Sequence, residues 1–381
     1  MWLTVIGPTH PFRGGIAHYT TLLVRCLRSR HEVRFSSYTR QYPHWLYPGN
    51  TDLDPSSALL IHEQPTHTFD ALNPLAWFRL AQTVKRSNSR LVVLPWSTVY
   101  WTPFYWLFLK ALGKSGRPNS VFICHNVVEH EPNLLKSAIA RRILACADFF
   151  VVHSEWDRGN LARWLAPSRA PAIRVCPHPA YEHLSQPAMR KSAARAALGI
   201  RSERVVLFFG FIREYKGLRY LLESLPQVRS RLDVHLLIAG EVWGNGRSYR
   251  ELISRLGIAS CVTWVDKYIP NEEVARYFAA SDLVAIPYVS ATQSGIVQLA
   301  YGFGKPVLAS RVGGLPEVVD DGVTGYLVPS RDAASISAAI LDFYGKGREA
   351  EMSQAILLKR LEFSWERLCS TLEVLAQSAG L

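Results

Sequence analysis

The sequence predicts an α/β protein of two domains, and three observations carry that prediction. Residues 282–329, DLVAIPYVSATQSGIVQLAYGFGKPVLASRVGGLPEVVDDGVTGYLVP, read as strand, turn, helix and strand. An apolar run, Leu283 to Pro287, is followed by a polar turn, Ser290 to Gly295, and a helical segment, Ile296 to Phe303. Gly304 ends that segment, Pro306 bars its continuation, and Val307 to Ala309 resume a strand. The amino terminus has the same grammar: a strand Trp2 to Ile6, a Gly-rich loop Gly7 to Gly15, and an amphipathic helix Ile16 to Leu27. Finally, the polar, Ala/Arg/Ser-rich stretch Ser185 to Ser202 separates two halves that each alternate strands and helices. It puts the boundary between a first domain at residues 1–182 and a second at 183–362. A last amphipathic helix, Phe363 to Ala376 within 363–381, is expected to cross back to the first domain.

Bulk properties narrow the function classes. A chain of 381 residues with 48% hydrophobic and 19% charged residues is long enough for two packed domains and is not compositionally disordered. The net charge of +12 implies anionic partners: phosphorylated substrates, an anionic membrane surface or nucleic acid. The basic residues are dispersed and no recognition-helix, RRM or KH pattern occurs, so nucleic acid is not expected as a partner. The six cysteines, Cys26, Cys124, Cys146, Cys176, Cys261 and Cys369, form no CxxC pair and read as buried thiols of a reducing compartment. With no basic leader and no uncharged apolar stretch of membrane-spanning length, a cytoplasmic protein is expected.

In chain order, Gly14-Gly15 either make a tight turn or line a ligand crevice at the carboxyl end of the first strand. The loop is not GxGxxG, which gives a dinucleotide little support. Val33 to Tyr38, Ala58 to His62, Leu91 to Pro95, Val121 to Cys124 and Phe149 to His153 read as further strands. The segment Trp101 to Leu112 is apolar on nearly every face; it is either a core helix or an aromatic tip resting on a membrane or lipid-linked molecule. His125 ends a strand, which turns it toward a ligand crevice unless its role is structural. His130 and Glu131 lack a third ligand at metal spacing, so no metal is expected.

In the second half Val205 to Phe209 is a strand, Gly210 to Gly217 a loop and Leu218 to Leu225 a helix. Arg213 and Lys216 are either solvated cations or a diphosphate clamp placed where strand gives way to helix. Leu236 to Ala239 and Val262 to Val265 are strands, and Asn271 caps a helix. At Gln293-Ser294-Gly295 the choice is between an ordinary Ser-capped turn and a phosphate site made of free helix amides. Pro316-Glu317 reads as another helix start.

These residues, in this order, resemble the family 4 glycosyltransferases. The resemblance spans nearly the whole chain. It rests on Gly14-Gly15, His125-Asn126, GFIREYKG (210–217), AGE (239–241), SDLVAIPY (281–288), GKPVLAS (304–310), GGLPEVVDDGVTGYLVP (313–329) and FSWE (363–366). It implies a GT-B fold, two Rossmann-like domains facing across a cleft, and a retaining sugar transfer from a nucleotide-diphosphate sugar to a glycan or lipid-linked saccharide. Cell-surface polysaccharide or glycolipid synthesis is the expected setting, and the aromatic segment Trp101 to Leu112 with the +12 charge favours a lipid-linked acceptor at the inner face of the cell membrane. No cofactor or metal is implied.

By the same resemblance Arg213 and Lys216 hold the donor diphosphate and stabilise the leaving group, and His125 contacts the donor sugar. The amides of Ser294, Gly295 and Ile296 bind the phosphates; Gly14, Gly15, Gly210 and Glu241 line the donor site. The family's two glutamates, with seven residues between them, fall on Ala291 and Leu299, neither acidic. Gln293 and Gln298 are the nearest polar groups for the sugar and ribose, and Arg213 replaces the family's Gly-Arg pair at Gly210-Phe211. Two alternatives stand beside a variant transferase: a non-catalytic sugar-nucleotide-binding protein, and a GT-B UDP-sugar epimerase.

Overall fold

The computed structural model describes all residues except 44–48, 50, 58–61, 114, 128–133, 186–188 and 379–381. The chain divides into two compact units: Met1–Asp54, Ile61–His178 and Ser364–Leu381 form one, Pro55–Leu60 and Pro179–Phe363 the other.

The first unit contains strands β1 (Trp2–Ile6), β2 (Glu32–Arg40), β3 (His67–Asp70), β4 (Leu91–Trp96), β5 (Asn119–Cys124), β6 (Phe149–Val152) and β7 (Ile173–Val175). They form one parallel sheet in the order β3-β2-β1-β4-β5-β6-β7. Its helices are α1 (Gly15–Arg28), α2 (Pro74–Lys85), α3 (Thr102–Leu112), α4 (Leu134–Leu144) and α5 (Glu155–Trp164), with the chain's last helix, Trp365–Gln377, returning to it. Alternate residues of each strand serve opposite faces. Leu3, Val5, Leu91 and Val93 pack with Leu23 of α1 and Leu368 and Leu372 of the last helix. Ile6, Val92, Leu94 and Trp96 pack with Phe104, Tyr105 and Phe108 of α3. Both faces are thus covered, which is why these strands read as continuous apolar runs.

The second unit contains α6 (Lys191–Ala197), β8 (Val205–Phe209), α7 (Leu218–Arg229), β9 (His235–Ala239), α8 (Gly246–Arg255), β10 (Val262–Val265) and α9 (Asn271–Ala280). It continues with β11 (Leu283–Ile286), α10 (Gly295–Gly302), β12 (Val307–Ser310), β13 (Gly325–Val328), α11 (Ala333–Gly345) and α12 (Glu349–Lys359). The last helix of the chain is therefore α13. The second sheet is parallel in the order β10-β9-β8-β11-β12-β13. In both sheets the strand order reverses beside the first strand, between β1 and β4 and between β8 and β11. Open α/β sheets hold their ligands at the carboxyl ends of strands at that point.

The opposite, amino ends of β8 and β11 are fixed by Asp282, which is 3% exposed. Its Oδ1 meets Lys191 Nζ at 2.6 Å and Arg195 Nη2 at 2.7 Å, while its Oδ2 accepts from the Val205 amide at 2.8 Å and the Tyr344 hydroxyl at 3.2 Å. One carboxylate thus ties the start of β11 to the start of β8.

Several sequence expectations shift. The strand expected over 58–62 falls mostly outside the described residues, and a short polar strand, β3, occurs instead at His67–Asp70. The polar stretch 185–202 contains α6, and Asn271 is the first helical residue of α9, Pro270 standing at its cap position. Pro316-Glu317 opens only a single 3₁₀ turn, Leu315–Glu317. The chain is turned aside there by the Asp320–Gly322 bend, where the Thr324 amide donates to the Asp320 carbonyl and Gly322 has φ 77°. Cys146, expected to be buried, is exposed.

Candidate functional site

The β8–β11 reversal gathers most of the second-half candidates. Beyond β8 the loop 210–217 makes one 3₁₀ turn, Glu214–Lys216, and enters α7 at Gly217. Gly217 has φ +68°, and a Cβ there would sit 1.9 Å from the Pro287 carbonyl oxygen, so only glycine lets this loop lie against the end of β11. The Val289 amide donates to the Tyr215 carbonyl at 2.7 Å and closes the contact. On the other side the Ile212 amide donates to the Glu241 carbonyl at 2.8 Å, joining the loop to the end of β9. The glutamate itself is buried.

This stitching buries Lys216 to 7% exposure. A Cβ on Gly210, whose φ is +93°, would stand 3.2 Å from Lys216 Nζ and 3.3 Å from Ile296 Cδ1, so these three residues converge. Lys216 Nζ lies 5.7 Å from the Tyr288 ring centroid, and the Ser294 hydroxyl donates to the Tyr288 hydroxyl at 3.3 Å. Among the described residues neither Lys216 nor Arg213 makes an ion pair with a carboxylate. Arg213 instead stacks over Tyr215 at 5.2 Å and Trp243 at 5.7 Å. Burial, and then the Arg213 charge, pull the Lys216 ammonium down to about 7. A nearly buried cation beside a second cation, without a counter-charge among the described residues, carries a desolvation cost that an anion at this point would offset.

The start of α10 completes this end of the sheet. α10 is apolar all round, with Val297, Leu299, Ala300 and Tyr301 buried, and it begins at Gly295 because Ser294 caps it. The Ser294 hydroxyl accepts from the Ile296 amide at 3.2 Å, so of the three amides expected to bind phosphate, that of Ile296 is engaged by its own cap. The Gly295 amide, in the first turn, has no intrahelical acceptor, and only the Tyr181 ring, 3.8 Å away, would touch a side chain there. Gln298 is 1% exposed and its Oε1 makes no hydrogen bond among the described residues. Gln293 directly precedes Ser294, outside the helix. Ala291 and Leu299 are both buried apolar residues, so the positions of the two family glutamates hold no polar group.

Sequence reasoning missed an aromatic shell around the cations. Phe211 and Trp243 lie 4.3 Å apart between ring centroids, and Phe211 and Tyr268 lie 5.9 Å apart. They follow β8, β9 and β10 by two to four residues, which was the signal available.

In the first unit, Gly14 has φ +104° and forms the N-terminus of α1 with Gly15; a Cβ on either would meet nothing within 4 Å. His125 follows β5, 6% exposed, with its ring 4.6 Å from that of Tyr19 at 90°. His153, expected only as the end of a strand, and His178 follow β6 and β7; their rings lie 5.1 Å apart, and His153 lies 5.7 Å from His125. Burial, then His153 and His178, lower the His125 imidazole well below its usual value, and burial takes His153 to about 4. The His125 and His153 imidazoles are therefore neutral at physiological pH. No group of three or more His, Cys, Asp or Glu among the described residues is placed to hold a metal; His130 and Glu131 lie outside them.

Residues 203–346 match the family model described as glycosyl transferases group 1. The chain is 34% identical over 235 residues to a D-inositol 3-phosphate glycosyltransferase of Segniliparus rotundus, covering 59% of this chain and 51% of that protein. A D-inositol 3-phosphate glycosyltransferase of Mycobacterium marinum is 32% identical over 248 residues, covering 62% and 52%. The chain thus spans about half the length of the curated relatives it matches. Its fold is similar to sucrose-phosphate synthase from Thermosynechococcus elongatus, with TM-score 0.76, 20% identity and 99% of each chain covered. It is equally similar to Anabaena Alr3699/HepE in complex with UDP, with TM-score 0.76, 18% identity, and 99% of this chain and 100% of that one covered. Residues 203–346 are thus similar to the glycosyl transferases group 1 family, and the chain has the two-domain α/β architecture of the GT-B fold.

Proposed function

We propose that the protein is a glycosyltransferase that takes a sugar from a nucleotide-diphosphate donor held at the carboxyl ends of β8 and β11. The observation that carries this reading is Lys216, nearly buried, without a carboxylate and set against Gly210, with Arg213 in the same loop. Breaking the sugar–phosphate bond leaves charge on the diphosphate, and fixed cations and helix amides stabilise that charge more as it grows. The family match, the names of the curated relatives and the UDP and UDP-glucose complexes of the Anabaena protein support a nucleotide-sugar donor. His125, neutral and at a strand end, is suited to hydrogen-bond the donor sugar rather than to carry a charge to it.

In this reading Gln298 and Gln293 take the polar contacts to ribose and sugar that the family's glutamates supply. The transfer proceeds with retention, by front-face attack in which the leaving phosphate takes the acceptor's proton. The protein is assayed by incubating it with UDP-, GDP-, ADP- and dTDP-sugars and lipid-linked or glycan acceptors, and determining the anomeric configuration of the product by NMR. Release of nucleotide with a retained anomer is the expected result. Nucleotide binding without turnover on any acceptor favours the non-catalytic reading, and an inverted product contradicts retention.

Lys216 also sets a pH dependence. In the free protein its proton leaves near pH 7, far below the ordinary lysine value. A bound diphosphate needs the charged form and restores the proton. Donor affinity is therefore expected to fall as pH rises above 7, approaching tenfold per unit while one proton is taken up. Calorimetric titration of UDP at pH 7 to 9, in two buffers of different ionisation enthalpy, measures both the affinity and the proton uptake.

The acceptor side points to a lipid surface. No helix among the described residues is long and apolar enough to cross a membrane. Helix α3 is mostly core, with Phe104, Tyr105, Phe108 and Leu112 buried, but Trp106 is exposed with Lys110 stacked over it at 4.7 Å. Helices α2 and α4 pack on α3 and expose Leu75, Phe78, Leu134 and Leu135, with Arg141 and Arg142 exposed on α4. Exposed apolar side chains among cations suit an anionic membrane bearing a lipid-linked acceptor. The protein is expected to cosediment with anionic liposomes, less so as salt rises, and Trp106→Ser with Leu134→Ser to stay in the supernatant.

A further inference from the structure

The two cysteines furthest apart in the sequence, Cys26 and Cys369, come together in the first unit. Cys26 is in the last two turns of α1 and half-buried; Cys369 is in α13 and fully buried. Their sulfurs are 2.6 Å apart. This is one of three contacts, in ascending order, that join α1 and the turn after it to α13. Tyr19 and Trp365 come first, their rings 5.1 Å apart; the cysteines follow; then His31 Nε2 meets Glu373 Oε1 at 2.7 Å, with Arg30 Nε at 3.3 Å from the same oxygen. The numbers rise together in both helices, so α1 and α13 run side by side in the same direction, and the cysteines sit at the middle of their seam. An S–S bond of about 2.05 Å requires the sulfurs to close by only about half an ångström.

We infer that Cys26 and Cys369 form an intramolecular disulfide by exchange with a small-molecule disulfide such as oxidised glutathione, and so lock α13 onto α1. The two thiols are suited to different parts in the exchange. The hydrogen bond from Cys369, chiefly, lowers the Cys26 thiol, and the same bond together with burial holds the proton on Cys369. Cys26, the accessible one, attacks as thiolate. It breaks the S–S bond of glutathione disulfide, releases one glutathione thiolate and keeps the other half as a mixed disulfide. Cys369 then attacks the Cys26 sulfur, gives up its proton and expels the second glutathione. Two protein thiols are oxidised and one glutathione disulfide is reduced to two thiols, which carry both protons. α1 begins at Gly14-Gly15 and α13 follows the point where the chain leaves the second unit, so the bond ties the chain's end to the helix behind that loop.

The full chain is incubated with oxidised glutathione, unfolded, alkylated and digested, and its thiols are mapped by mass spectrometry. The expected result is a Cys26–Cys369 peptide pair, reversed by dithiothreitol, with Cys124, Cys176 and Cys261 alkylated. Cys146, exposed and without a neighbouring cysteine in the seam, takes up glutathione and shows that the reagent was active. The cross-linked protein has a higher unfolding temperature than the reduced protein, because the bond closes a loop of nearly the whole chain. Cys369→Ala retains one glutathione on Cys26 and shows no such rise; Cys26→Ala forms neither product. If Cys146 is modified while Cys26 and Cys369 both remain alkylatable, or if either pairs with a different cysteine, the inference is overturned.

Discussion

Lys216→Ala is expected to lower turnover by about 10²–10³-fold, the cost of removing one preorganised group that stabilises developing negative charge. The loss falls on kcat more than on donor affinity, since the ammonium is worth most when the diphosphate carries its full leaving-group charge. The same variant is expected to unfold at the same temperature as the parent or higher. The parent buries an ammonium with no carboxylate partner, against the Arg213 charge, and a neutral side chain removes that cost. Falling activity with unchanged or rising stability separates a functional cation from a structural one. Arg213→Ala, at a half-buried position where the guanidinium is also held by Tyr215 and Trp243, is expected to lose less. Steady-state kinetics with a nucleotide-sugar donor, paired with thermal unfolding, gives both readings.

Asp282→Ala is expected to cost about 3–5 kcal/mol, as removal of one partner from a buried charged network does. Arg195, whose side chain is only 12% exposed, loses its carboxylate, and the Val205 amide loses its acceptor at the start of β8. Lys191 keeps Glu349 at 2.6 Å and is held less strongly afterwards. Asp282→Asn, which keeps an acceptor for Val205, is expected to lose less. Because Asp282 pins the amino ends of the two strands whose carboxyl ends carry Lys216 and Ser294, the alanine variant tests how far the site depends on that anchor. Urea unfolding measures the stability change; a loss below about 1 kcal/mol, the range of an exposed ion pair, contradicts the anchoring role.

The elements that were legible in the sequence are those whose physics is local or one-dimensional. A strand buried on both faces must be apolar throughout, so β1, β4, β8, β9, β11 and β12 stand out as short runs. α10 is announced by Ser294 before it and Gly304 after it. β3, with the polar sequence HTFD and two exposed residues of four, carries no such signal. The stop after Pro316-Glu317 depends on the bend at Asp320–Gly322, beyond the reach of a helix-start rule. For the site, the chain order alone places Arg213 and Lys216 at a strand end. Their convergence with Ile296 and Tyr288 follows from β11 lying beside β8, a neighbourhood set by sheet order and not by sequence distance. The burial of Lys216, the aromatic shell of Phe211, Trp243 and Tyr268, and the gathering of His153 and His178 around Tyr19 are all of this second kind.

The measurement that bears most directly on the central claim is calorimetric titration of the protein with UDP, GDP, ADP and dTDP, repeated on Lys216→Met. The account predicts one nucleotide bound at a single site, with proton uptake above pH 7, and both binding and uptake diminished in the variant. Binding of none of the four, or equal binding by the parent and Lys216→Met, contradicts a diphosphate site at the ends of β8 and β11.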